Sequence, residues 1–477
     1  MNKKTTSSLD EASSRLASAC FLFLTIAFGL LARKSLLPMG SGDQSQFLKP
    51  WFRKINELGA AGTLRDGIGD YMPPYFWIMI IINALPIKNK MYGLKWVSSI
   101  ADFVAAVFVM KIVKKVTGSD TKAELSFAAA FLMPSVLLDS AGWGQCDSIF
   151  TMFLVMCVYY LIQGRDVMAV TCFSLSFIFK LQAIFLAPLL MVMVLKRKVR
   201  LRALVAFPIV YLAAILPSAA CGHEFSSLFT IYFSQAGQYS TLNMTLPNIW
   251  AMMKGVGGPK GEMLGKAGVM LAGVSCMTLI YYLFRREQTP GVRGTVVLAA
   301  LSALFVPYLL PYMHERYFYT ATVIGLVLVF VDKRLTPVWL VIEFSSCTSM
   351  AHFLLGKEEL DLRFSAFLVT AALIVLFVYY CSLAEKDEEI ELVPMKSMLE
   401  LLDDEEDDEK DEEAEETEKT EEKATEEAAP QEEKKPDAPT EKKTDTNKAP
   451  QPSKNNRRGK KRRTDPIQER HGKGVKL

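Results

Sequence analysis

Apolar runs recur along most of this chain, and they decide what it can fold into. A helix that crosses a bilayer needs roughly 20 mostly apolar residues. Runs of that kind, or close to it, lie at about 16–31, 96–113, 124–139, 148–163, 167–195, 203–221, 264–284, 295–311, 317–331, 336–355 and 364–384. So many runs in one chain exclude a water-soluble body. The first run follows Lys3, Lys4 and Arg15, as a signal peptide would, but it has no small-residue cleavage site, so it reads as a retained helix. The stretch 167–195 is too long for one span and has basic residues at both ends, Arg165 and the Lys196–Arg202 cluster. It reads as two short helices that turn near Phe179-Lys180-Leu181-Gln182. The expected fold is therefore an all-α integral membrane protein with about 12 transmembrane helices.

Charge sets the orientation. Positive loops stay on the cytoplasmic side. Lys111, Lys114, Lys115, Arg165, Lys196–Arg202, Arg285, Arg286, Arg293, Lys333 and Arg334 all fall inside if both termini are cytoplasmic. Lys49, Arg53, Lys54, Lys88, Lys90 and Lys95 do not. They lie in a large first outer loop, 38–95, where so many cations suggest an anionic ligand. Within that loop Tyr71–Ile87 is apolar, short, and broken by Pro73, Pro74 and Pro86, so it reads as a juxtamembrane helix.

The formal charge of +3 hides a split. Residues 385–477 carry 30 acidic and 20 basic side chains, leaving 21 acidic and 34 basic in the first 384. The last stretch is low-complexity, acidic to Glu433 and basic from Lys434. Such composition cannot bury a core. Three parts follow: an N-terminus 1–15, a multi-spanning membrane domain 16–384, and a disordered cytoplasmic tail 385–477. The tail reads mainly as a solvating segment; attraction of its basic end to anionic lipid or nucleic acid is the alternative. The eight cysteines show no C-x-x-C, and four histidines offer no cluster, so neither a disulfide framework nor a zinc site is expected.

Polar groups at membrane depth are costly and usually mark function or a paired structural site. Here they gather at the predicted outer ends of different helices: Asp43, Asp70, Asp139, Asp147, Lys180, Gln182, His314, Glu315 and Arg316. Carboxylates beside cations suit a reaction on a phosphorylated lipid, with the carboxylate taking a proton and the cations holding the phosphate. Each residue has a plainer reading too. Asp43 could be a solvated loop acid or a helix cap, Asp70 and Asp147 could cap the helices that follow, and Lys180 and Arg316 could anchor in the headgroups. Asp102 lies inside a predicted span, where a structural partner such as Lys95 and a contact with substrate are equally open readings. His314-Glu315 lacks the second His of H-e-x-x-H, because position 318 is Phe.

Together these segments resemble the C-type glycosyltransferases, multi-spanning enzymes that use polyprenyl-phosphate sugars, and in particular bacterial relatives of the second mannosyltransferase of the GPI-anchor pathway. The resemblance rests on the Asp43 loop after the first helix, Gly69-Asp70-Tyr71 with Pro73-Pro74-Tyr75, Trp143-Gly144-Gln145-x-Asp147-Ser148, Phe179-Lys180-x-Gln182, the Asn243–Trp250 segment and His314-Glu315-Arg316-Tyr317, in order over about 15–384. It implies a hexosyltransferase, mannosyltransferase-like, in a bacterial plasma membrane, with its active site facing outward. Asp43 would be the general base. Asp70, Tyr71, Gln145, Asp147, Lys180, Gln182, His314, Glu315 and Arg316 would bind substrate. The partners would be a polyprenyl-phosphate sugar donor, an acceptor glycan, lipid or protein, and the surrounding lipids; neither a cofactor nor nucleic acid is expected. Some such enzymes carry a paired acid at the first-loop position. This chain has Gly42-Asp43-Gln44, so no metal is expected either. The alternative is a secondary transporter, but the chain shows no internal repeat and its polar residues gather at one end rather than at midplane.

Overall fold

The computed structural model describes residues 3–235, 241–253, 255–356, 361–383 and 387–394. The chain divides into two units, Met1–Met395 and Lys396–Leu477. The second lies outside the described residues, and with it most of the expected disordered tail.

The first unit is helical. Its helices are α1 (Lys3–Leu36), α2 (Lys49–Asp66), α3 (Pro73–Ala84), α4 (Lys90–Thr117), α5 (Asp120–Leu132), α6 (Pro134–Leu137), α7 (Asp147–Ile162) and α8 (Asp166–Phe179). These are followed by α9 (Ala187–Leu195), α10 (Ala206–Ala220), α11 (Phe225–Gln235), α12 (Gly258–Arg285), α13 (Val292–Leu309), α14 (Tyr319–Val331), α15 (Thr336–Leu355) and α16 (Leu362–Leu383). Among the described residues the only strands are β1 (Asn243–Met244) and β2 (Met313–His314), a short parallel pair.

Every apolar run falls on a helix. Seven helical segments are long and apolar enough to cross a membrane, eight if the bent pair Asp120–Leu132 and Pro134–Trp143 counts as one. The other expected spans are the shorter apolar helices Asp147–Ile162, Asp166–Phe179, Leu181–Leu195 and Tyr319–Val331. The long run divides where expected. Lys180 is extended (φ −157°, ψ 137°), which ends α8, and the chain restarts as a 3₁₀ turn, Leu181–Leu186. α3 has 12 residues and starts on its two prolines; at 1.5 Å per residue it is about 18 Å long, short of a span. The segment between α1 and α4 also holds α2, which buries Trp51, Phe52 and Ile55 and leaves Lys49, Arg53 and Lys54 exposed.

Burial separates inner from outer helices. In α13, 83% of the apolar window is buried, against 11% in α1. α13 and α14 sit in a core that also takes side chains from α4, α7, α8 and α9. α1 is anchored near its end by Arg33, which is fully buried, pairs with Asp102 at 3.1 Å and lies over the Phe131 ring. Tyr319 donates to the other Asp102 oxygen at 2.7 Å. The partner of Asp102 is therefore Arg33 and not Lys95.

The expected boundary at 384/385 also needs correction. Asp387–Pro394 packs as an extended strap across one end of the bundle. Asp387 accepts the Arg293 and Gly294 N–H groups, and the Glu388 carbonyl accepts that of Val292, so the strap caps the start of α13. Lys115 pairs with Glu388 at 2.8 Å, and Lys198 with Glu389 at 2.9 Å. Val393 donates to the Gly164 carbonyl, and Arg200 donates to that of Val393. Ile390 is 3% exposed and joins the main core. Gly164 is needed beneath the strap: its φ is +70° and a Cβ there would overlap the Glu391 carbonyl. Composition hid this segment because its acids look like the rest of the tail, while their partners lie far away in sequence.

Candidate active site

Asp43 follows the first helix, as expected, and starts a tight π-helical turn, Gln44–Leu48, that leads into α2. Its side chain is 22% exposed. One oxygen, Oδ2, accepts from Gln145 Nε2 at 2.7 Å and from Trp143 Nε1 at 3.2 Å, with the Arg316 guanidinium 3.9 Å away. Oδ1 has no hydrogen-bond partner among the described residues. Gln44 strengthens the junction by donating to the Trp143 carbonyl at 2.7 Å.

The partners of Asp43 come from the turn after α6. Pro134 interrupts α5 and bends the pair by 43°, because proline cannot donate into the helical ladder. Glu343 of α15 caps the restart, accepting from Ser135 N–H at 3.1 Å and from its hydroxyl at 2.6 Å. The chain then forms a π-helical turn, Leu138–Trp143, closed by Gly144 at φ +82°, ψ 35°. Trp143 is fully buried and stacks on Phe353 with ring centres 4.8 Å apart. Ser98 of α4 donates to the Gln145 carbonyl at 2.7 Å.

Below Asp43 lies a buried ion cluster. Lys180 donates to Asp147 at 2.8 Å, and Arg316 Nε lies 3.3 Å from the same oxygen. Arg316 also pairs with Glu315 at 2.7 Å and sits over the Trp143 and Tyr317 rings. The β1–β2 pair brings Asn243–Leu246 beside His314, and the Thr245 hydroxyl lies 3.3 Å from Glu315. Burial works against charge on Glu315, but the His314 hydrogen bond and the Arg316 cation outweigh it and hold its carboxyl below the ordinary value. Thr245 has φ +67°, which β-branched residues rarely adopt.

Asp147 is thus an ion-pair partner at the start of α7, not merely a cap. Asp70 lies at the bend before α3 and does not cap that helix, whose N-cap is Met72. Tyr71 lies between Trp51, which it meets edge to face, and a tilted Tyr75; burial, with the Cys146 thiol and Tyr75 beside it, pushes its phenol well up. Gln182 is half-buried on its 3₁₀ turn with no hydrogen-bond partner among the described residues. Asp139 is fully buried, and neither of its oxygens has a hydrogen-bond partner among the described residues. Asp147 Oδ1, Ser148 Oγ and Arg316 Nε likewise make no hydrogen bond among the described residues, although Arg316 Nε keeps its ion pair with Asp147. Sequence reading missed Trp143 as a partner of Asp43; its only signal was a polar-edged aromatic one residue from a glycine turn.

Two comparisons bear on this site. No curated protein matches the chain. Residues 71–307 match Glycosyltransferase family 87, a range that includes Tyr71, Gln145, Asp147, Lys180 and Gln182 and stops short of His314, Glu315 and Arg316. The match supports a glycosyltransferase with a sugar donor and an acceptor, built on a multi-pass helical scaffold.

Proposed function

We propose that the protein transfers a hexose, mannose in the first instance, from a polyprenyl phosphate to an acceptor at the Asp43 end of the bundle. The observation that carries this reading is the state of Asp43: one oxygen is fixed by Gln145 and Trp143, and the other has no hydrogen-bond partner among the described residues. A base must be held in place and still have a lone pair to offer. In the step proposed, the acceptor oxygen attacks the anomeric carbon as the bond from that carbon to the phosphate oxygen breaks. The acceptor proton passes to Asp43 Oδ1, and the electron pair leaves with the polyprenyl phosphate. Lys180 and Arg316 stabilise the phosphate charge, loosening their contacts with Asp147 and Glu315 as they do so. Asp70, Tyr71, Gln182 and His314 line the approach.

The same reading gives a 12-span topology with both termini cytoplasmic and the site facing outward in a bacterial plasma membrane. It is supported by the cations Lys115, Lys198 and Arg200 at the strap end, since positive loops stay inside. The transporter alternative gains nothing from the family match.

A panel of labelled polyprenyl-phosphate sugars tests the reaction. With the active donor, Asp43→Asn should lower kcat by about 10²–10⁴-fold while the donor still binds. Asp70→Asn should act mainly on KM or stability. A dead Asp70→Asn beside an active Asp43→Asn would move the base to Asp70. No transfer from any donor would sink the reading.

A further inference from the structure

Lys95 is fully buried near the start of α4, and it has no carboxylate partner among the described residues. Its ammonium is surrounded by carbonyls instead: Met39 at 2.6 Å, Gly142 at 2.8 Å, Leu37 at 3.0 Å and Leu36 at 3.5 Å. An ammonium has three hydrogens, so these four acceptors saturate it. Three of the carbonyls belong to the end of α1 and the residues after it, four to seven positions before Asp43. The fourth belongs to the π-helical turn, one residue before Trp143. Lysines near a helix C-terminus commonly meet its last carbonyls. Capping alone does not account for Gly142, which lies on a separate segment about 100 residues along. The neighbourhood is fitted to Lys95 as well: a Cβ on Gly144 would come within 2.9 Å of its Cγ.

We infer that Lys95 is a positioning residue that staples the Asp43 segment to the Trp143–Gln145 turn and so fixes the base in the orientation its two donors require. A buried charge without a counter-ion is costly, and here that cost is offset only by bonds to both segments at once. The staple also explains why one helix serves both sides of the junction: Ser98, one turn along α4, holds the Gln145 carbonyl from the same face. The inference rests on the proposed role of Asp43.

The test uses purified full-length protein with Lys95→Met, which is unbranched, one atom shorter, and lacks the ammonium. Hydrogen exchange should quicken in 37–45 and in 140–146 together, by about tenfold or more, with the rest of the bundle unchanged. Transfer should lose about 10²-fold in kcat, the scale of a small misplacement, with donor KM within about threefold. Should that variant not fold, Lys95→Leu, which also lacks any donor, is read in the same way. Unchanged exchange, or quickening in one loop alone, overturns the staple. Quickening in both loops with full kcat, while Asp43→Asn is inactive, overturns the positioning role. An active Asp43→Asn instead removes the base assignment, and exchange alone then judges the staple.

Discussion

Two lysines of α4, about 30 Å apart along the helix, contrast the ends of the bundle. Lys95 is buried among carbonyls beside Asp43, whereas Lys115 is 35% exposed and pairs with Glu388 of the strap. The difference extends to their surroundings. Around the site the charges are buried, and Asp139, Asp147, Ser148 and Arg316 keep polar atoms without partners. On the strap Glu388 and Glu389 are paired and reach water, and the only deeply buried strap side chain is that of Ile390. One end is left incompletely satisfied, as the proposed binding of a polar ligand requires. The other is satisfied by the chain itself. Ion pairs should therefore dominate stability at the first end and apolar packing at the second.

The largest expected departure from that contrast is at Lys180. Lys180→Met leaves Asp147 buried with Arg316 at 3.3 Å but not in hydrogen-bonding geometry. It should lower stability by about 3 kcal/mol, the low end for breaking a buried pair, because Arg316 stays nearby. Adding Asp147→Asn should restore part of the loss; a double variant no more stable than the single would show that the pair is not coupled. Next comes Ile390→Ala, expected to cost about 2 kcal/mol or more in thermal unfolding. Deletion from Lys396 onward should cost far less than deletion from Asp387 onward, and equal losses would mean that the strap contributes nothing. The smallest effect is Lys115→Ala, within about 1 kcal/mol, as for other exposed pairs; a larger loss would make the two ends alike. Acid sharpens the same point. The Lys198 hydrogen bond holds the Glu389 carboxyl below its ordinary 4.5. A depressed carboxyl stabilises fully above its unfolded value and loses that contribution as pH falls below it. The stability gap between wild type and Lys198→Ala should therefore be present at neutral pH and shrink below 4.5. A gap that widens in acid would reverse the assignment.

The helices were legible because each apolar run is a local property, and the split at Lys180 was legible because charge flanks it. The ends of the site were legible as well: Asp43, Asp147, Lys180, Glu315 and Arg316 meet as their clustering suggested. What was not legible is who pairs with whom. Asp102 takes Arg33, 69 positions away, over Lys95 only seven away, because helix packing and not spacing sets the contact. Trp143 shows no sign in sequence of donating to a residue 100 positions earlier. The strap was hidden for a third reason: eight residues with four acids look solvated until the cations and helix start they cover are brought together.

The strap is also the last part of the described chain to be made. Its contacts with α4, the Gly164 turn, the Lys198–Arg200 turn and the start of α13 can form only after α16 has been placed. If those contacts are also absent from the folding transition state, they act on the rate of escape from the native state and leave the rate of reaching it nearly unchanged. Ile390→Ala should accordingly shorten the lifetime of the assembled bundle under denaturant, while refolding keeps its pace. The candidate site, assembled from α1, α4 and the turn after α6, would then complete its geometry first and be kept in working order by a fastening tied at the opposite end.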